Sequence, residues 1–492
     1  MSTTYRHGTY GEFAASIGDV GTQSGTVAVY VDAAPVNLIR GSVYDNVNAP
    51  VKLGTFSAAK RYMGYSENWA KFGLCEAIGV HLDNSSGNVG PIVVINVLDP
   101  ALHRKEAETV ADLTFVNGRA TLESDTIILD TLVLLDKVEG TDYSVDYDFA
   151  KGQVIIDSIG ANKITGTVSA VFFEVDPSMI TYEDIIGGVT ANGEYTGLGC
   201  VDLIYQELGL IPNLILSPNW SHIPAVYEAI IKAGTKVNGH WDSFVYADLP
   251  LADGDAKVDT IEAAIKWKND NGYGYERSKV FWPQNMDTAG RIYHESVLAA
   301  WRSVQIDSDN YGMPMETCSN KSVPICKHYF GEGSKNRGFD QERANELNAE
   351  GITTTCFWGG QWVLWGPHTA AYKFGQITDN RVIFDNSIRM MMFVTNDFQQ
   401  DWAMDIDRPM TRAMADTIKN REQEKADARA ALGAFIGKPV VHFDEAENST
   451  AELVEGNFVW GFEGTPTPPW KSGMLRVAYT TAGFDSYFGE VE

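Results

Sequence analysis

The chain has 492 residues, which at roughly 150 residues per domain predicts about three domains. Its apolar share of 44% is sufficient for a buried core, and its net charge of −27 argues against general binding to nucleic acid or to anionic membrane, since both require a positive surface. No run approaches the roughly 18 apolar residues of a membrane-spanning helix, and five scattered cysteines favour synthesis in a reducing cytoplasm.

The first 25 residues are rich in glycine and follow neither a helical nor a strand period. They predict an extended N-terminal arm over 1–25, with Tyr5, Tyr10 and Phe13 as anchoring aromatic residues. A polar terminal segment of this kind is usually ordered only where a partner holds it.

Residues 26–103 have the pattern of an α/β fold. A strand is predicted at 26–31, helices at about 57–65 and 69–81, and a second strand at 91–97. Because the apolar run at 91–97 is nearly continuous, it is typical of a strand covered on both faces. We therefore expect the first part of an α/β core here.

Between 104 and 184 the helix-length segments disappear and short alternating runs take their place. Asn117 and Gly118 predict a tight hairpin turn, because both residues tolerate the positive φ that such a turn requires. The segment has six basic and sixteen acidic residues. We interpret 104–184 as an acidic all-β insertion that faces solvent.

Strands and helices alternate again over 185–378, which predicts a mainly parallel sheet with helical layers. This is the second part of the interrupted α/β core. Its predicted strands lie at 212–217, 244–247 and 280–283, and its predicted helices at 221–233, 260–271 and 291–304.

The C-terminal part, 379–480, is predicted to be an α+β domain, followed by an extended arm over 481–492. Helices are expected at 386–398 and from Pro409, in the first turn, to about 435. Strands are expected at 440–444, 451–462 and 473–480. The predicted fold class is thus multidomain α/β and α+β, with a mixed α/β core, an all-β insertion and extended terminal arms.

The best enzyme-like feature is His222, which follows the strand predicted at 212–217 and could pair with Asp242 or Asp248. Ligands bind at the carboxyl ends of strands in such sheets. However, no G-x-S-x-G motif presents a serine nucleophile, and Ser221 is more simply a helix cap.

Other motifs fail a chemical requirement. The glycine-rich loop at 330–339 places its serine before its lysine, unlike a phosphate-binding loop, and the acidic turn after Asp307 has a cysteine at the twelfth position of a calcium loop. Cys318 and Cys326 are too far apart for a typical zinc pair. The aromatic run at 357–365 is more typical of core packing than of a sugar platform. We therefore predict no catalytic, cofactor-binding or metal-binding residues.

Several passages, in order, resemble the contractile tail sheath proteins of phages and related contractile injection particles. They are HGTYGE at 7–12, TVAVYVDAAP at 26–35, PIVVINVL at 91–98, PNLILSP at 212–218 and LNAEGITTTCFWGGQWVLWGPHTA at 347–370. In the last passage, Thr353 stands where the family often has asparagine and His368 where it often has arginine. The resemblance covers most of the chain.

The resemblance implies a structural, non-enzymatic subunit without a cofactor. Such proteins form a helical polymer of identical subunits around an inner tail tube, and contraction drives the tube through a target envelope. The implied partners are further copies of the chain, the tube protein, and the baseplate and tail terminator proteins, with neither nucleic acid nor membrane insertion. The implied location is the tail or particle sheath, after synthesis in the bacterial cytoplasm.

Two sets of residues are candidates for assembly contacts. A terminal strand can join a neighbour's sheet, and the candidate arms are marked by Tyr5, Tyr10, Phe13, Met474, Leu475, Val477 and Tyr479. In the family the C-terminal domain lies against the tube, and the basic residues of the long helix could contact it: Arg412, Lys419, Arg421, Lys425 and Arg429. The alternatives are a baseplate component, a tube subunit, which the length disfavours, and an α/β hydrolase-like enzyme acting near His222.

Overall fold

The structure, a computed structural model, describes residues 25–41, 43–161, 163–376, 379–487 and 489. The described residues form two compact units. Unit 1 runs to Ser243 and includes Ala300–Met313, and unit 2 comprises Phe244–Ala299 and the chain from Pro314 onward. None of the described helices has both the length and the apolar character required to cross a bilayer.

Unit 1 combines an α/β sheet with a purely β segment. Its described strands are β1 (Ala28–Asp32), β2 (Pro50–Leu53), β3 (Ile92–Asn96), β4 (Thr109–Phe115), β5 (Arg119–Glu123), β6 (Val133–Leu134), β7 (Tyr143–Asp148), β8 (Gln153–Ser158), β9 (Gly166–Phe172), β10 (Gly188–Val189), β11 (Tyr195–Thr196) and β12 (Leu214–Leu216). Its helices are α1 (Phe56–Tyr62), α2 (Gly73–Leu82), α3 (Tyr182–Ile186), α4 (Ile204–Leu208) and α5 (Pro224–Ala233).

The α/β sheet of unit 1 has the order β2-β3-β1-β12. β1 pairs in parallel with both β3 and β12, whereas β2 is antiparallel to β3. Every residue of β1 and β3 is buried, and all except Asp32 and Asn96, the last residue of each strand, are apolar, as expected of parallel strands that are covered on both faces. The strands predicted from the two continuous apolar runs are confirmed.

Between β3 and α3, the described residues form strands and short 3₁₀ turns. Two three-stranded sheets, β4-β9-β6 and β5-β8-β7, enclose an apolar core with Leu113, Tyr143 and Ile156 among its members. The predicted turn is present, with φ of 53° at Asn117 and 81° at Gly118. However, β4 and β5 do not form an extended hairpin, because after a single bridge each strand joins a different sheet.

Unit 2 holds a further set of parallel strands and all of the described C-terminal elements. Its strands are β13 (Phe244–Asp248), β14 (Ala252–Asp253), β15 (Ala256–Lys257), β16 (Ser278–Phe281), β17 (Gln284–Met286), β18 (Ile292–Tyr293), β19 (Lys327–Tyr329), β20 (Ile352–Trp358), β21 (Gln361–Trp365), β22 (Phe435–His442) and β23 (Gly461–Pro466). The helices are α6 (Ile261–Asp270), α7 (Glu295–Asp309, shared with unit 1), α8 (Gln341–Ala349), α9 (Asp385–Trp402), α10 (Arg412–Ala431) and α11 (Thr450–Glu455).

The main sheet of unit 2 has the order β13-β16-β20-β21. β13, β16 and β20 are parallel, and β21 returns antiparallel to β20 through a turn at Gly359 and Gly360. The alternation of strands and helices thus gives the predicted parallel arrangement. The mixed α/β class of the fold is confirmed.

Several predicted C-terminal elements are wrong. The long helix begins at Arg412 rather than near Pro409, because Thr411 caps it by accepting a hydrogen bond from the Met414 amide at 3.2 Å. The strand predicted at 451–462 is largely replaced by α11 and a loop, with only the start of β23 at Gly461. No strand is present at 473–480 within the part of the chain that the structure describes.

A fully buried ion pair connects the sheet of unit 2 to the start of α9. Lys279 Nζ, on β16, lies 2.6 Å from Asp385 Oδ2 and 2.7 Å from the Gly366 carbonyl oxygen. Asp385 also accepts hydrogen bonds from the Thr317 hydroxyl at 3.1 Å and the Asn386 amide at 2.6 Å. A buried charge requires such a complete set of partners.

Candidate assembly surfaces

β23 ends at Pro466, and the next residue, Thr467, is held in place by three hydrogen bonds. We call Thr467 the root of the segment that follows. Thr467 donates from its amide to the Ala434 carbonyl at 3.0 Å and from its hydroxyl to the Gly433 carbonyl at 2.6 Å. The side-chain amide of Asn386 donates to the Thr467 carbonyl at 3.0 Å. The starting point of the following segment is therefore fixed to the C-terminal part of unit 2.

Beyond this root, residues 473–480 form what we call the exposed segment. Its backbone makes no hydrogen bond with any residue that the structure describes. The four apolar candidates on it are 83–86% exposed: Met474, Leu475, Val477 and Tyr479. Soluble chains rarely present so many large apolar side chains in sequence unless another surface covers them.

The spacing of these side chains suits a strand. In extended backbone, alternate residues point to the same side, so Leu475, Val477 and Tyr479 would form one apolar face. Arg476 and Thr480 would lie on the opposite face with Met474. This is the alternation expected of a strand with one covered face and one wet face.

Within the described residues, β22 and β23 pair only with each other. A two-stranded sheet has unpaired backbone groups along its outer edges, which can accept a further strand. Beside the sheet lies an apolar groove of about 670 Å³, lined by Ile388, Met391 and Met392 of α9 together with Ile436 and Pro466.

The basic residues predicted to face a tube divide into two groups. Arg412 and Arg421 are exposed and Lys419 is half-buried, and we call these three the basic set. Arg412 lies 3.0 Å from Asp416, one helical turn away on α10. An exposed pair of this kind contributes little to stability, so it can exchange partners readily.

Lys425 and Arg429 are instead held within the chain. Lys425 Nζ lies 3.2 Å from Asp397 and also contacts Asp401, and the buried Arg429 pairs with Asp397 as well. Burial favours a lower pKa for Lys425, but the hydrogen bond that its ammonium group donates to Asp401 and the charge of Asp397 outweigh burial and raise the pKa. Asp397 and Asp401 lie on α9, a contact that the sequence pattern of α10 could not indicate, whereas Glu422, which Lys425 Nζ also contacts at 3.1 Å, lies on α10 itself.

The remaining arm residues, Tyr5, Tyr10 and Phe13, lie outside the described residues. Thr467, the root of the exposed segment, and Asn386, which holds it, escaped the sequence prediction. The prolines at 466, 468 and 469 were the available signal of a stiff connection at this point.

Asp242 and Asp248, the two carboxylates considered as partners of His222, each accept hydrogen bonds from another residue. Asp242 accepts hydrogen bonds from the amide and the ammonium group of Lys236, at 3.2 and 3.3 Å. Asp248 accepts from the amide and hydroxyl of Ser296. Ser221 is not a helix cap, because α5 begins at Pro224.

His328 and the aromatic run at 357–365 pack wholly or partly into the protein core. His328, which follows Cys318 and Cys326 in the sequence, is buried, and its Nε2 lies in a hydrogen bond with the Thr355 carbonyl oxygen at 2.9 Å. Burial lowers the pKa of His328 to about 4. In the aromatic run, Val363 and Leu364 are buried, whereas the hairpin tip at 357–358 is about half exposed. The run thus contributes to the core at one end only.

No protein-family profile matches the chain. It is 26% identical over 474 residues to the tail sheath protein of Burkholderia phage BcepMu, a match that covers 92% of each chain. It is 23% identical over 384 residues to the major tail sheath protein of Serratia phage KSP20, covering 75% of this chain and 90% of that protein. The chain is thus similar in sequence to phage tail sheath proteins over most of its length.

The fold agrees with this similarity. It superposes on the sheath complex of an extracellular contractile injection system, PVC, in the contracted state, with a TM-score of 0.55 and 11% identity. The superposition covers 98% of this chain and all of the other. The resemblance predicted from the sequence is confirmed.

The passage with the most specific resemblance, 347–370, contains the end of α8 and all of β20 and β21. Asn348 clamps it, because its side-chain amide donates to the carbonyl oxygens of Ile352 at 3.1 Å and Trp365 at 2.9 Å. His368, which stands where arginine is frequent, is stacked on Tyr372 with ring centres 3.6 Å apart. Burial lowers its pKa to about 3, so it is a neutral core residue at physiological pH.

Proposed function

We propose that the chain is the structural subunit of a contractile tail sheath, which polymerises helically around an inner tube and contracts to drive the tube through a target cell envelope. The homology to tail sheath proteins over 92% of the chain carries this proposal. The exposed segment and its fixed root support it, because they have the form of a contact made with another molecule.

Polymerisation proceeds by strand addition. The exposed segment of one subunit pairs with an open edge of the β22–β23 sheet of another, and its apolar face covers that subunit's surface. Because donor and acceptor are different surfaces, the contact is heterologous and can continue along a helical lattice. The N-terminal arm, 1–25, supplies a second link of the same kind.

The link can persist while the subunits change their relative orientation. Backbone hydrogen bonds of an added strand depend on the strand and its acceptor, not on the bodies to which each is joined. Rigid-body rotation about connecting segments then shortens the lattice without dissociating it. The free energy comes from new contacts between subunits, so the chain acts without catalytic residues or a cofactor.

The basic set contacts the inner tube. Arg412, Lys419 and Arg421 reach solvent along α10, whereas Lys425 and Arg429 are already paired with acidic residues of α9. The baseplate and tail terminator proteins contact the two ends of the polymer. The acidic insertion, 104–184, which interrupts the α/β core of 26–103 and 185–378, faces solvent.

Negative-stain electron microscopy of the purified full chain tests this function, with long hollow cylinders as the expected result. Val477→Asp places a charge on the apolar face of the exposed segment and should abolish cylinders. Val454→Asp is the matched control, because Val454 is 81% exposed and Val477 is 83% exposed, and it should leave them intact. Uniform small particles from the full chain, or equal effects of the two variants, would contradict the proposal.

A further inference from the structure

A cluster of one histidine and two carboxylates lies at the end of the β22–β23 sheet. His442 ends β22, and Asp444 and Glu447 follow in the loop before α11. Nε2 of His442 lies 3.6 Å from Asp444 Oδ2 and 3.5 Å from Glu447 Oε2. All three ligand atoms lie within 4.8 Å of one another.

The distances suit a shared ion better than direct hydrogen bonds. An N–H···O bond is about 2.7–3.2 Å long, which is shorter than either separation. Two ligands bound at about 2.1 Å to a tetrahedral Zn²⁺ lie roughly 3.4 Å apart. The observed 3.5 and 3.6 Å are close to that spacing.

The cluster is held in place by groups outside the three side chains. Asp444 Oδ1 accepts a hydrogen bond from the Glu447 amide at 3.2 Å, which leaves Oδ2 on the side of His442. The buried side chain of Asn448 donates to the carbonyl oxygens of Asp444 and Val459, at 2.9 and 2.8 Å. The loop that carries both carboxylates is therefore fixed to the chain entering β23.

Glycine at position 461 makes the arrangement possible. Gly461 pairs with His442 across the sheet, and a Cβ there would lie 2.0 Å from His442 Nε2. The space that a side chain would fill is occupied by the edge of the imidazole that bears Nε2. Any residue other than glycine would displace this nitrogen.

From this geometry we propose a divalent metal site of the zinc class, formed by His442, Asp444 and Glu447, with water completing the coordination. An imidazole nitrogen with two carboxylates is a donor set that suits Zn²⁺, whereas Mg²⁺ and Ca²⁺ prefer oxygen ligands alone. The bound ion fixes the end of β22 to the loop before α11. The site is independent of the proposed sheath function and concerns the stability of this sheet.

The test uses the full chain, stripped with a chelator and titrated with ZnCl₂ by isothermal calorimetry, with metal content measured after dialysis. We expect one Zn²⁺ per chain and a higher melting temperature with Zn²⁺ but not with MgCl₂. Asp444→Asn and Glu447→Gln should each weaken Zn²⁺ binding at least tenfold, and Gly461→Ala should weaken it similarly. His442→Gln should remove the stoichiometric site.

The matched controls are His240→Gln, which removes an exposed histidine elsewhere, and Asp427→Asn, which removes an exposed carboxylate of α10. Neither should change the affinity by more than twofold. Binding that survives His442→Gln, or that falls equally in His240→Gln, would show adventitious binding and overturn the proposal. Absence of Zn²⁺ binding by the folded full chain would overturn it as well, leaving His442 as an ion-pair partner of the two carboxylates.

Discussion

The buried pair of Lys279 and Asp385 makes a quantitative prediction about the stability of unit 2. Lys279→Met removes the cation and leaves Asp385 without its only close counter-charge among the contacts described above. Both side chains are fully buried, so water cannot replace the lost interaction. Breaking a buried pair from one side typically costs about 3–5 kcal/mol, because it leaves an uncompensated charge.

The expected loss corresponds to a fall in melting temperature of roughly 6–20 °C, since 1 kcal/mol shifts a unit of 150–250 residues by about 2–4 °C. Thermal melting followed by tryptophan fluorescence measures it. Lys279→Met combined with Asp385→Asn should recover most of the loss, because the double variant has no buried charge.

The control is Lys321→Met, which breaks an exposed pair with Glu316 of similar length, 2.9 Å. It should cost less than about 1 kcal/mol. A single-variant loss at Lys279 no larger than that of this control would refute the reasoning. A double variant as unstable as Lys279→Met alone would also do so, because the cost would then lie in packing rather than in the unpaired charge.

Three further predictions concern pH and the basic set. Burial raises the pKa of Glu295 well above its ordinary value, so the folded chain holds a proton that the unfolded chain releases. The free energy of unfolding therefore falls as the pH rises above about 4.5. Glu295→Gln should flatten this dependence in thermal melts at pH 5 and pH 8. Burial lowers the pKa of His81 to about 4, so below pH 6.5 the unfolded chain binds a proton that the folded chain does not. Acidification to pH 5 should therefore lower the free energy of unfolding by about 2 kcal/mol. The His81→Gln variant should not show this loss. Changing all three residues of the basic set to glutamate should prevent assembly around purified tubes. The melting temperature should stay within 3 °C of that of the unchanged chain, which corresponds to roughly 1 kcal/mol for a unit of this size. A larger shift in melting temperature, or unchanged assembly, would contradict the tube contact.

The parts of the fold that the sequence predicted correctly depend on local patterns. Continuous apolar runs indicate β1 and β3 because both faces of those strands are covered. The Asn117–Gly118 turn follows from the conformational freedom of its two residues. The separation of β4 and β5 into two sheets was not predictable in this way, since their partners lie 30 or more residues along the chain.

The errors in the C-terminal part have identifiable causes. Ser449 followed by Glu452 is a helix-start signal, and Ser449 Oγ accepts from the Glu452 amide at 3.3 Å in the structure. The apolar residues of 451–462 favoured a strand instead. At 473–480 the strand pattern is real, but a strand requires a partner, and sequence cannot show whether that partner belongs to the same molecule.

For the assembly surfaces, sequence indicated which residues are apolar or basic but not which ones remain available. The exposed apolar side chains of 473–480 agree with their prediction as contact residues, a role that stays a prediction. Nothing in the local sequence distinguishes Lys425 and Arg429 from Arg421. In the structure, however, both form ion pairs with Asp397 of another helix. Such contacts arise from tertiary packing and have no local signature.

The most direct measurement of the central claim compares the full chain with a chain ending at Ser472, by sedimentation velocity and electron microscopy at the same concentration. We expect long cylinders from the full chain and folded particles of one or a few subunits from the shortened chain. Addition of a 473–492 peptide should not restore cylinders, because the link must be covalently joined to the subunit that donates it. Cylinders of normal length from the shortened chain would contradict the account.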